Sequence, residues 1–67
     1  MLKLKINGLS YEYRAPISPY ELLIYLGFNT ELILVDYNGT LLPKEQWKLL
    51  SLKDNDSLEI LTLAGGG

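Results

Sequence analysis

Asn7-Gly8 stands at the centre of LKLKINGLSYEYR, with apolar and polar residues alternating on both sides of it. Asn-Gly is the preferred pair for a two-residue hairpin turn, because both central positions need positive φ. A loop of two residues leaves a single register. Ile6 then pairs with Leu9, Leu4 with Tyr11 and Leu2 with Tyr13. All six share one face, which is expected to be the core face. The same register sets Lys3 opposite Glu12 on the other face as a cross-strand charge pair.

The segment ISPYELLIYLG carries the signals of a helix start and stop. Ser18 is the expected N-cap, and Pro19 occupies the first helical position, where its missing N–H costs nothing. Glu21 completes a capping box with Ser18, and Ile17 and Leu22 sit at the hydrophobic-staple positions. Leu22, Leu23 and Leu26 form one apolar stripe, and Gly27 supplies the stop. Two to three turns are too few for a helix to stand alone, so it must pack on a sheet.

ELILVDY predicts a third strand, ended by a second Asn-Gly pair at Asn38-Gly39. TLLP predicts a short strand closed by Pro43. KEQWKLL reads as a single turn with Trp47 folded inward as the anchor of the long return segment. KDNDS reads as a tight turn in which Asn55 tolerates positive φ. SLEILTLA is the last strand and runs directly into three glycines. One helix laid across a mixed sheet is the simplest way to bury these apolar faces. The expected division is a folded domain over residues 1–64 and a flexible glycine tail over residues 65–67.

Composition excludes several kinds of chemistry. The chain has 67 residues, enough for one domain, and 48% of them are apolar, which argues against disorder. It has neither cysteine nor histidine. Disulfides, thiolate zinc sites, cysteine nucleophiles and the commonest general base are therefore out of reach. The net charge is −2, and the six basic residues are scattered, so no stripe for nucleic acid is present. Lysines alternate with the first apolar residues, unlike a signal peptide, and no window has the length of a membrane span. A soluble, intracellular protein is expected, and Asn38-Gly39-Thr40 and Asn55-Asp56-Ser57 read as turns rather than glycosylation sites.

Asp54-Asn55-Asp56 resembles the start of a calcium loop, but Leu58 stands where a third ligand belongs. A plain turn is expected, with no metal site. Tyr11 and Tyr13 belong to the predicted core face, while Tyr20, Tyr25 and Tyr37 are expected to give partial cover. The tail alone resists a packing explanation, since it has no side chains and follows a strand. It is either a frayed end or a slim thread that carries a free carboxylate into a narrow channel, where glycine permits close approach. Activation of that carboxylate by ATP gives an acyl-adenylate. On the second reading the protein is a carrier whose chemistry another enzyme supplies.

A hairpin, a capped helix, a long return and a terminal Gly-Gly together resemble the ubiquitin-like β-grasp fold, an α+β architecture with a mixed sheet of four to five strands and one main helix packed across it. Within that fold the chain resembles the ThiS family of sulfur carriers in thiamine biosynthesis. Residues 35–67, VDYNGTLLPKEQWKLLSLKDNDSLEILTLAGGG, carry the likeness. Leu42-Pro43-Lys44-Glu45-Gln46-Trp47 matches the family's Val-Pro-Arg-Glu-x-Trp. Asn55 stands where the family commonly has glycine, and three glycines follow Ala64 where the family has two.

The resemblance implies a protein co-substrate rather than an enzyme, with no bound cofactor. An adenylating activating enzyme of the ThiF type uses ATP on the C-terminal carboxylate of Gly67, or of Gly66 if the extra glycine is an addition. A sulfur donor then converts the adenylate to a thiocarboxylate, and thiazole synthase of the ThiG type takes the sulfur. Partners are expected to grip Leu61, Leu63, Ala64, Gly65 and Gly66, in the cytoplasm or a plastid stroma. Leu61 and Leu63 lie on the strand face opposite Leu58 and Ile60, so they stay exposed unless a local bulge buries them. The molybdopterin-synthase small subunit, with the same tail chemistry, and a non-conjugated interaction module are the alternatives.

Overall fold

In the computed structural model, which describes residues 1–14 and 16–63, the Asn7-Gly8 hairpin forms in the expected register. Strand β1 (Leu2–Ile6) pairs antiparallel with β2 (Leu9–Tyr13), setting Leu2 against Tyr13, Leu4 against Tyr11 and Ile6 against Leu9. Asn7 and Gly8 both take positive φ, 52° and 82°, the geometry that matches the twist of the flanking strands. Asn38 and Gly39 repeat it at 50° and 90° between β3 (Ile33–Tyr37) and the two-residue β4 (Thr40–Leu41). The last strand, β5 (Ser57–Thr62), inserts between the two hairpins, parallel to β1 and antiparallel to β3. The sheet order is therefore β2-β1-β5-β3-β4.

Helix α1 (Pro19–Leu26) starts and stops where the sequence places it. Ser18 Oγ accepts from the Glu21 N–H at 3.1 Å, and Glu21 Oε1 accepts from the Ser18 N–H at 3.0 Å, closing the capping box. Gly27 ends the helix at φ 87°, and the N–H of Phe28 reaches back to the Leu23 carbonyl. Leu22 and Leu23 are buried with Ile17, Leu4, Ile6, Ile33, Val35, Leu58 and Ile60 in one core between helix and sheet. Trp47 and Leu52 close that core from the return segment. Lys44–Gln46 form a single 3-10 turn, as expected, and Trp47 is turned inward.

Three expectations need correction. Leu9 and Tyr11 lie on the predicted face but are exposed. They sit on β2 at the sheet edge, beyond the reach of an eight-residue helix. Lys3 does stand opposite Glu12, yet the only ion pair among the described residues joins Lys44 to Glu31 at 3.0 Å. β3 begins at Ile33 rather than at Glu31. Asn29 Oδ1 accepts from the Glu31 N–H and the Asn29 carbonyl from the Leu32 N–H, which curls those residues into a turn first.

Candidate functional site

The tail residues Ala64, Gly65, Gly66 and Gly67 lie outside the described residues, so what can be described is the strand that leads to them. Along β5, Leu58 and Ile60 enter the core while Glu59 and Leu61 project from the opposite face. Leu61 is 54% exposed and Leu63 43%, and no bulge interrupts the ladder between them and β3. Leu61 pairs with Leu34, and the Leu63 N–H donates to the Leu32 carbonyl at 2.8 Å. Leu34 is 41% exposed on the same face, and Leu41, one strand further out beside Asp36, is 59% exposed. Leu34 and Leu41 were not among the expected contact residues. Their face follows from strand pairing across sequence, which local pattern does not encode.

Next to the Leu34–Leu61 pair, Asp36 stands directly opposite Glu59. Like charges in register across two strands destabilise a sheet by about 0.2–1 kcal/mol. The outer face therefore combines exposed leucines with an acidic pair. Glu59→Gln is expected to raise stability by a few tenths of a kcal/mol, read as a higher urea midpoint. A lowered midpoint would show that Glu59 has a stabilising contact instead.

Strand β5 is pinned from both sides by the two hairpin asparagines. Asn7 Oδ1 accepts from the Ile60 N–H at 2.6 Å, where β1 has already turned away. Asn38 Oδ1 accepts from the Ser57 N–H at 2.8 Å, and its Nδ2 donates to Asp56 Oδ1 at 3.1 Å. Asp56 is buried and also accepts from the Tyr37 hydroxyl at 2.6 Å and the Lys53 N–H at 2.7 Å. Expected only as part of a turn, Asp56 is the polar centre that fixes the approach to β5. Burial alone raises a carboxyl's pKa, but here the Tyr37, Lys53 and Asn38 hydrogen bonds and the Lys53 charge hold it below the usual carboxylate range. Burial, then the Asp56 hydrogen bond and charge, push Tyr37 up to about 12. Asn55 takes positive φ, 71°, and donates its N–H to the Lys3 carbonyl, so it fills the glycine position without loss of the turn.

Nothing else among the described residues competes as a chemical centre. No group of three His, Cys, Asp or Glu side chains is placed to hold a metal. An open hollow of about 800 Å³ lies at the outer hairpin against Lys3, Lys5, Ser10 and Glu12, away from Leu61 and Leu63. Trp47 is spent on packing, its Nε1 donating to the Leu42 carbonyl at 3.1 Å and its own carbonyl accepting from the Tyr20 N–H at 3.0 Å.

A five-stranded mixed sheet with a parallel central pair and one crossing helix defines a ubiquitin-like β-grasp protein, here with its exposed apolar strand at the C-terminal end. The model of the ThiS family matches residues 4–67, the glycines included. The chain belongs to the ThiS family. The crystal structure of the thiamine biosynthesis protein ThiS from Geobacter metallireducens superposes with a TM-score of 0.84 at 30% identity, over 98% of this chain and 100% of that one. The uncharacterized protein ycf40 of Pyropia yezoensis is 41% identical over 66 residues, 98% of this chain and 93% of its own length. A thiazole synthase of Paramagnetospirillum magneticum is 33% identical over 66 residues, which are 98% of this chain but 20% of that protein.

Proposed function

We propose that the chain is a sulfur carrier in thiamine biosynthesis, working through the carboxylate of Gly67. The observation that carries this reading is the family match, whose bounds, residues 4–67, take in the core, the exposed end of β5 and the glycines. Membership of the ThiS family and the likeness to a solved ThiS protein support the carrier role. The absence of Cys and His from the sequence leaves the terminus as the place for activated sulfur.

An activating enzyme joins the carboxylate oxygen to the α-phosphorus of ATP and releases pyrophosphate. A donor at the oxidation level of sulfide then attacks the acyl carbon. AMP leaves, and a thiocarboxylate remains on Gly67. Thiazole synthase accepts that sulfur at the sulfide level, and an oxygen from the acceptor's carbonyl or from water takes its place on the acyl carbon, which restores the carboxylate. The occurrence of a carrier-like segment inside a thiazole synthase supports that enzyme as the acceptor. Leu61 and Leu63, with Leu34 and Leu41 beside them, offer both enzymes an apolar grip next to the tail. The chemistry fits the cytoplasm or a plastid stroma, where ATP and the partner enzymes meet. No helix among the described residues is long and apolar enough to cross a membrane.

Intact mass spectrometry after incubation with ATP, the activating enzyme and sulfide tests the scheme. The expected result is a gain equal to exchanging one oxygen for sulfur, mapped to the C-terminal residue. An unchanged mass with an enzyme that is active on another carrier sinks the proposal.

A further inference from the structure

Backbone groups along β5 alternate between its two neighbours. The Leu63 N–H donates to Leu32 and the Ser57 carbonyl accepts from Asn38, so the odd-numbered residues face β3. The Asp56 and Leu58 carbonyls accept from the N–H groups of Lys5 and Asn7, so the even-numbered residues face β1. β1 stays in register with β5 only at Lys5–Ser57 and Ile6–Leu58 before the chain leaves through the Asn7-Gly8 turn. The Asn7 side chain satisfies the Ile60 N–H. Beyond it, the Ile60 carbonyl and both backbone groups of Thr62 have no hydrogen-bond partner among the described residues.

Among the described residues this half-edge is open. Thr62 is exposed, and no described residue beyond the chain neighbours lies within 4 Å of the position a Cβ would take on Gly8 in the adjoining turn. Natural edges are usually guarded by charge, proline or a bulge. Residues 60–62 are Ile, Leu and Thr, with none of these guards. One donor and two acceptors spaced along an extended strand match another extended backbone, which is how a peptide adds to a sheet. The slot lies just before residues 64–67 in sequence.

We propose that this edge of β5 receives an extended segment of thiazole synthase, which adds as a strand beside residues 60–62 and aligns the glycine tail. The proposal rests on the sulfur-carrier reading above. Thiazole synthase is favoured as the occupant because a relative of that name carries a carrier-like segment over 20% of its length, in one chain with the rest of the protein.

Amide exchange measured by NMR on the labelled full chain, with and without purified thiazole synthase of the same organism, tests it. The Thr62 amide exchanges freely in the isolated protein and slows at least about tenfold in the complex, as expected for a newly made strand hydrogen bond. Thr62→Pro removes only the N–H that faces the slot and leaves the Leu61 and Leu63 amides on β3. Its affinity for thiazole synthase is expected to fall about five- to tenfold, near the worth of one backbone hydrogen bond. Its mass gain with the activating enzyme is expected to persist. A Thr62 amide that stays unprotected in a formed complex overturns the inference. Protection that rises with protein concentration alone also overturns it, by assigning the edge to a second copy. No binding of thiazole synthase at all overturns the inference, while the mass gain with the activating enzyme still tests the carrier reading by itself.

Discussion

Trp47→Ala is expected to destabilise the protein by about 3–5 kcal/mol, the cost of truncating a fully buried tryptophan. At 2% exposure the indole fills the end of the core between helix and return segment. Its loss leaves a cavity, an unmet Leu42 carbonyl and a loosened tie to Tyr20. A domain of 67 residues has little more stability than that in total. At about 4–8 °C per kcal/mol for a domain of this size, the thermal transition falls by at least roughly 12 °C or vanishes. Circular dichroism during heating reads the change. Trp47→Phe, which keeps most of the volume but not the N–H, is expected to lose less than half as much. A loss below about 1 kcal/mol for the alanine variant would mean that residues 43–52 do not belong to the cooperative core.

Asp56→Asn should come next in size, at about 2–4 kcal/mol, although it changes volume hardly at all. Three donors converge on the carboxylate, and an amide in its place turns a hydrogen of its own toward them. The same site sets the acid limit. A carboxyl held below its ordinary value contributes stability that is present above about pH 4 and is lost as pH falls through the lower folded-state pKa. Tyr37 works at the other end. Its folded pKa of about 12 means its contribution is complete below about pH 10 and is lost as pH rises toward 12. Urea unfolding at a series of pH values should therefore show an acid slope that Asp56→Asn reduces and an alkaline slope that Tyr37→Phe reduces. Identical slopes in wild type and variants would place the protons elsewhere.

Much of the fold was legible because its signals are local. Ser18, Pro19, Glu21 and Gly27 act within one turn of themselves, so the helix boundaries could be read directly. Asn7-Gly8 and Asn38-Gly39 impose positive φ, and a two-residue loop admits one register. Trp47 was legible as an anchor because a lone large aromatic in a polar return has to be buried. Asp56 was hidden, since its partners come from β3, the second hairpin turn and its own turn. The exposure of Leu9 and Tyr11 was hidden too, because alternation shows which residues share a face but not how far a helix covers it.

The terminal glycines, the exposed-or-buried choice for Leu61 and Leu63, and the composition without Cys or His were all on the page of the sequence itself. By itself the sequence determined the hairpins and the capped helix, since each depends on neighbours a few residues apart. Only the tertiary structure decided that β5 lies at the centre of the sheet, that Leu34 and Leu41 join Leu61 on one outer face, and that among the described residues the β5 edge has no neighbour beyond Ile60. Those facts depend on which distant segments pair and where β1 turns away, and pairing energy is shared between strands rather than written in either one.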